Sequence, residues 1–291
     1  MKEKLPVLQI DSFIENKNSF YVNELAQHLR TNLELISYPH KHDFYLTVLF
    51  TKGKGIHVID FECFDVNPGS VFFLKPGQSH YWELSKETDG YIFFHSDLSH
   101  NNYTTIQVED FPFYSIHLSS PHLQLEFSKI NKFENEFRNL LKEFRQNMPF
   151  KERKLTNLMD CIYIEFSRLY AQKSTTESTS KSNAYLKQLL NFEKLIDLHY
   201  KAEKSPSKYA ERMHITAKHL NRIAQETLQK TSGEMISERV ILEAKRLIAN
   251  NSMSLSDIAL ELGYEEYSYF SRFFKKNTGE TLINFRKRYQ R

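Results

Sequence analysis

At 291 residues, 40% hydrophobic and with a formal net charge of only +3, the chain is long enough for two domains with separate cores. Its two cysteines, Cys63 and Cys161, are too few and too far apart for a disulfide framework, so a reducing compartment is expected. No apolar run approaches the ~20 residues of a membrane span. Met1-Lys2-Glu3-Lys4-Leu5-Pro6 leads into no long apolar segment, which argues against a signal peptide and for a cytoplasmic protein that does not meet membranes. Residues 183–291 hold 19 Lys and Arg against 13 Asp and Glu, whereas residues 1–182 hold 20 against 23. A basic C-terminal part joined to a mildly acidic remainder suits a chain of which only one part meets phosphate.

The first half reads as short strands at 33–37, 45–51, 55–59, 62–66, 70–74, 80–84 and 91–95, rich in aromatic and β-branched residues. Turns fall at Lys52-Gly53-Lys54-Gly55, Val66-Asn67-Pro68-Gly69 and Lys75-Pro76-Gly77-Gln78. Such spacing predicts a small antiparallel β-barrel or jelly roll over about 20–120.

Tyr45, His57, Phe72, His80, Trp82 and Phe94 are expected to line the barrel mouth and to hold a small organic effector, or simply to fill the barrel. His40, His42 and His80 are the alternative as metal ligands. In metal-binding cupins, which this part resembles, a Glu follows the paired histidines by a few residues; here Tyr45, Leu46 and Thr47 occupy that region, so the fourth ligand is missing and no metal and no cofactor is expected. No nucleophile–base pair, glycine-rich phosphate loop or carboxylate pair of catalytic spacing is present, so the expectation is that the chain is not an enzyme.

Two amphipathic helices follow over about 123–172, with stripes at Phe127, Ile130, Phe133, Phe137, Leu140, Leu141, Phe144 and Met148 and then Leu155, Leu158, Met159, Ile162, Phe166, Leu169 and Tyr170. The break at Met148-Pro149-Phe150-Lys151 predicts an antiparallel pair, whose surplus apolar surface is a candidate homodimer contact. Residues 173–182 lack apolar side chains and read as a flexible linker between domain 1–172 and domain 183–291.

Beyond it, Tyr185 to Tyr200 predicts a helix. Ser205-Pro206 opens a short second one, with serine as cap and proline at the first helical position. Thr216 then caps a helix over 217–228, with Leu220, Ile223 and Ala224 inward. A long connecting helix is expected over 235–250. The pattern then repeats. Leu255, Ile258, Ala259 and Leu262 form one apolar face, Gly263 stops that helix, and a restart to Lys276 carries the stripe Phe270, Phe273, Phe274. Helix, tight turn and helix with a polar, basic face is the helix-turn-helix pattern. The copies align Ala259 with Ala210, Phe270 with Leu220, Arg272 with Arg222 and Gly279 with Gly233.

The run Ile258-Ala259-Leu260-Glu261-Leu262-Gly263-Tyr264, then Ser268-Tyr269-Phe270-Ser271-Arg272-Phe273-Phe274-Lys275-Lys276, then Thr278-Gly279 and Phe285-Arg286, resembles the signature of AraC-type (AraC/XylS) transcriptional regulators. The likeness covers 183–291. Tyr264 stands where the family usually has Phe, and Leu282 where it usually has Pro. Pro68-Gly69-Ser70-Val71 and Pro76-Gly77-Gln78-Ser79-His80 resemble turns of the cupin-like sensor domain that many such regulators carry.

The fold class expected is therefore α+β in two domains. A cupin-like barrel with its helical pair comes first, and an all-α domain with two helix-turn-helix units follows. The function expected is sequence-specific binding of double-stranded DNA in transcription regulation, controlled by a small molecule or partner at the barrel and meeting RNA polymerase if it activates. Residues off the apolar stripes and early in each second helix are the candidate base readers: Lys218, Asn221, Arg222 and Gln225, then Tyr267, Ser268, Ser271 and Arg272. Thr216, Lys275 and Lys276 suit phosphate. A cupin-type metalloenzyme and a protein-binding adaptor are the competing classes.

Overall fold

The computed structural model describes residues 5–14, 20–97, 100, 102–104, 106–115, 117, 120–173, 180–250 and 253–289. Contacts divide the chain into two compact units, Leu5–Thr175 and a second comprising Thr176–Arg291 together with the first four residues.

Alternation of side chains along the strands builds the N-terminal unit. One sheet has the order β1 (Val7–Leu8), β3 (His40–His42), β8 (Ser79–Leu84), β5 (Gly55–Ile59), β6 (Glu62–Val66); the other runs β10 (His122–Gln124), β7 (Ser70–Leu74), β4 (Tyr45–Lys52), β9 (Asp89–His95), β2 (Phe20–Glu24). All pairings are antiparallel except β1 with β3. The two sheets share no pairing among the described residues, so the expected barrel is corrected to an open two-sheet sandwich.

Leu46, Val48 and Phe50 of β4, Phe72 and Leu74 of β7 and Ile92 and Phe94 of β9 enter the core on the sandwich side. Tyr45, Leu49, Val71, Phe73 and Phe93 point the other way, into a second core with the two long helices. A sheet covered on both faces explains why β4 and β7 read as unbroken apolar runs. The helices are α3 (Phe127–Arg145) and α4 (Lys151–Lys173), after the short α1 (Leu25–Thr31) and α2 (Leu33–Ile36). They run antiparallel: Phe133 stacks on Phe166 at 4.2 Å, and Glu143, buried near the far end, pairs with Lys154 at 2.6 Å. Their stripes are spent on their own sheet. Among the described residues, the large apolar side chains left exposed on the pair and its connection are Phe127, Met148 and Phe150.

Two sequence expectations change here. Leu33–Ile36 is helical rather than a strand, its Leu33 and Leu35 exposed, so that alternation was not a buried face. Of the linker, 174–179 lie outside the described residues, while the backbone from Ser180 is already helical.

The C-terminal unit consists of α5 (Ser180–His199), α6 (Pro206–Arg212), α7 (Ala217–Leu228), α8 (Ser232–Asn250), α9 (Leu255–Glu261), α10 (Tyr267–Thr278) and α11 (Leu282–Tyr289). Helices α10 and α11 repeat α7 and α8 fifty residues on. Between α7 and α8 the left-handed residue is Gln229 (φ 57°), and its counterpart after α10 is Gly279 (φ 78°). Gly233 lies inside α8, so the alignment of Gly279 with Gly233 is corrected to Gly279 with Gln229. Leu282, in place of the usual proline, begins α11 as its buried first residue; Thr281 Oγ1 accepts from the Asn284 N–H at 3.2 Å and caps the helix.

Candidate nucleic-acid interface and effector site

The two second helices, α7 and α10, are held by equivalent cores. Leu220, Ile223 and Ala224 are buried on α7, and Phe270 and Phe274 on α10. What each stripe leaves outward follows from the 3.6-residue period. Lys218, Arg222 and Gln225 on the first helix and Tyr267, Ser268, Arg272, Lys275 and Lys276 on the second are exposed, while Asn221 and Ser271 are half-buried at matching positions.

Several of these side chains already have work. Thr216 Oγ1 accepts from the His219 N–H at 3.1 Å as the cap of α7, which leaves its hydroxyl proton outward. Ser268 Oγ donates to Glu266 at 3.3 Å. Asn221 Oδ1 accepts from the Ser232 N–H at 3.1 Å and from Ser232 Oγ at 3.3 Å, fixing the start of α8. A bidentate adenine contact needs that same oxygen. In this structure the Asn221 oxygen is thus engaged in holding the start of α8. Arg222 takes a neighbour sequence reasoning missed: its Nη2 donates to His219 Nδ1 at 2.9 Å, and the His219 ring meets Tyr185 edge-on at 5.8 Å. The i, i+3 spacing of His219 and Arg222 was the signal. Arg272 makes no hydrogen bond or ion pair among the described residues.

In the N-terminal unit, His57 of β5, His80 and Trp82 of β8 and Phe72 of β7 converge between the sheets. His57 lies 4.5 Å from Phe72 and 5.2 Å from Trp82, and Trp82 lies 5.0 Å from His80, between ring centres. Phe94 closes the same core from β9. Tyr45 does not belong with them. It faces α4, stacks on His95 at 5.3 Å and donates to Glu109 at 2.6 Å, so its place in the effector site is corrected by the strand's own alternation.

His28 and His42 join the cluster. His42 Nδ1 donates to the Phe44 carbonyl oxygen at 2.6 Å, which leaves its Nε2 as a bare acceptor. His40 Nδ1 lies 2.9 Å from the Tyr38 carbonyl oxygen, and His57 Nε2 shares one proton with His80 Nδ1 at 3.0 Å. Whichever ring holds that proton, the outer nitrogens His57 Nδ1 and His80 Nε2 present one donor and one acceptor. These two, His42 Nε2 and the Trp82 indole N–H are buried without a hydrogen-bond partner among the described residues. Burial is the largest cause holding every ring here neutral: His28 and His42 are pushed down to about 3, His40 is lowered, and His57 and His80 lie well below their ordinary value. Among the described residues no group of three or more His, Cys, Asp or Glu side chains is arranged to hold a metal ion.

Residues 209–288 match the helix-turn-helix domain, and residues 23–190, over half of the chain, match the AraC-like ligand binding domain. The chain belongs to the AraC family. It is a DNA-binding transcription regulator with an N-terminal ligand-binding domain. The HTH-type transcriptional activator RhaR of Mannheimia succiniciproducens is 21% identical over 263 residues, spanning 86% of this chain and 87% of that protein. The activator RhaS of Escherichia coli is 21% identical over 247 residues, 81% and 83% of the two chains. A solved structure of ToxT from Vibrio cholerae covers 93% of this chain and 98% of its own at 13% identity, with a TM-score of 0.45. No helix among the described residues is long and apolar enough to cross a membrane.

Family membership gives the two sites their separate meanings. The outward faces of α7 and α10 belong to the part that binds DNA, and the buried imidazoles and indole to the part that binds ligand. What the sequence alone did not reveal is the contribution of α1, whose His28 hydrogen-bonds Tyr21 at 2.9 Å and meets the Trp82 ring edge-on at 6.5 Å.

Proposed function

We propose that Arg222 and Arg272 are the principal base readers, each bonding a guanine through its guanidinium in a separate major-groove element of one asymmetric site. The observation that carries this is their equivalence: both are exposed at the same step of repeated helices, two residues after the buried Leu220 and Phe270. Lys218, Gln225, Tyr267, Ser268 and Ser271 complete the reading face, and Thr216, Lys275 and Lys276 meet phosphate. Arg222→Ala and Arg272→Ala should each cost about 1 to 3 kcal/mol and relax one position, in different halves of the site. Unchanged preference in both variants would refute the assignment.

The N-terminal unit, in this reading, senses a neutral hydroxyl-bearing molecule bound among His42, His57, His80 and Trp82, with Phe72 and Phe94 as apolar walls. A hydroxyl both donates and accepts, matching the mixed donors and acceptors that lack partners there. Imidazoles held neutral offer a carboxylate no charge to pair with. The working protein is taken as a cytoplasmic, non-enzymatic homodimer that contacts RNA polymerase where it activates. Phe127, Met148 and Phe150, exposed on the helical pair and its connection, support that pair as the dimer contact.

A further inference from the structure

The turn after α5 touches the turn of the second helix-turn-helix unit. Lys204 Nζ donates to the carbonyl oxygens of Leu262 at 2.7 Å and of Lys201 at 2.6 Å, and lies 4.9 Å from the centre of the Tyr264 ring. Lys201 pairs with Glu261 at the end of α9. The two backbones come so close that a Cβ on Gly263 would stand 1.9 Å from the Lys201 carbonyl oxygen, and Gly263 itself sits at φ +77°. Only glycine meets both demands. Behind this turn, Arg239 of α8 lies 4.0 Å over the Tyr200 ring and donates to Asp197 at 2.5 Å and to Glu243 at 3.1 Å.

Helix α8 joins the two reading units covalently and helices of both units pack on it. The contact between the 201–204 turn and the turn at Leu262–Tyr264 is a second tie at a distance from that connector. The ammonium of Lys204 suits this role: two carbonyl oxygens and an aromatic face surround a charge that is half withdrawn from water, so moving the units apart leaves it and the carbonyls poorly satisfied. We propose that the 201–204 turn is a latch that fixes the separation and mutual angle of α7 and α10, with Lys204 the positioning residue that sets the permitted spacing between the two DNA elements. The proposal rests on the reading that both helices contact bases.

The test is selection of random duplexes by the full chain, followed by affinities for the selected site with its two elements as found and moved apart by one base pair. The wild-type protein should select two elements at one spacing. Lys204→Met should reduce the discrimination between spacings by roughly tenfold, a usual size for coupling between groups in contact, while each element keeps its own sequence preference. Lys204→Arg, which keeps a donor for the carbonyls and a cation over Tyr264, should restore it. A Lys204→Met protein with wild-type discrimination, or one that loses affinity equally for every spacing, overturns the latch alone. A wild-type protein that selects no paired elements overturns the latch together with the two-helix reading beneath it.

Discussion

Asn221 and Ser271 hold the same step of α7 and α10, both half-buried, and Asn221 fixes the start of the helix that follows. Its oxygen satisfies the Ser232 N–H, one of the donors that the first turn of α8 leaves without an intrahelical partner. Asn221→Ala should therefore cost about 1 kcal/mol of stability and leave base preference intact, whereas Asn221→Asp, which retains an acceptor, should keep most of the stability. Thermal unfolding and duplex selection on the same two proteins check this. A changed base preference with unchanged stability in Asn221→Ala would return the residue to the reading face. Arg222 and Arg272 differ in a comparable way. One guanidinium is held by His219 and the other is unrestrained among the described residues, so under the proposed reading the first has less side-chain freedom to lose on binding bases.

Buried histidines dominate the sandwich at the scale of whole elements, because β3, β5 and β8 each turn an imidazole inward and burial favours its neutral form. In the unfolded chain these rings protonate near pH 6.5. A depressed folded value means the contribution to stability is complete above about 6.5 and is lost as the pH falls, since the unfolded state then binds more protons. His28, His42 and His95, each pushed down to about 3, should each cost about 2 kcal/mol at pH 5. The unfolding midpoint followed by fluorescence of the single tryptophan, Trp82, should fall steadily below pH 6.5. A midpoint that is flat between pH 8 and pH 5 would contradict neutral burial.

The strands of 45–95 and the recognition helices were legible because their signals are local: alternation, glycine and proline turns, and a 3.6-residue stripe each operate within a dozen residues. What escaped depends on distant partners. β1, β3 and β10 are two or three residues long and exist through pairing with β3, β8 and β7, and the failure of the sheets to close is a property of edges far apart in sequence. Leu33-Glu34-Leu35-Ile36 alternates as a strand would, but with only Ile36 buried it had no sheet to join and closed as one helical turn. Tyr45 was placed in the wrong core for a related reason. A run of six buried residues, Tyr45 to Phe50, conceals its own parity until both covering layers are known. The histidine cluster was half visible, since His57 and His80 lie on strands read correctly, while His28 sits on an unforeseen helix.

For the whole molecule, the proposed regulation is that ligand bound among the imidazoles alters how α7 and α10 meet DNA. The units are joined in sequence through 174–179, and family membership assigns ligand binding to one and DNA binding to the other. Coupling between them is a free energy, bounded by the difference in ligand affinity between the DNA-bound and free states. Ligand binding and DNA binding should consequently change together or not at all. A histidine variant that abolishes ligand response should leave the reading of bases by Arg222 and Arg272 unchanged.

Under the proposed function, α7 and α10 each read bases and the full protein presents them twice. Selection of random duplexes by the full chain at near-physiological salt tests it most directly. The expected result is enrichment of an asymmetric site with two elements about one helical turn, ~34 Å, apart, and of two copies of that site on the selected duplexes. Retention of duplexes with no sequence in common, weakening uniformly as salt rises, would contradict it and reduce the two helices to a nonspecific phosphate-binding surface.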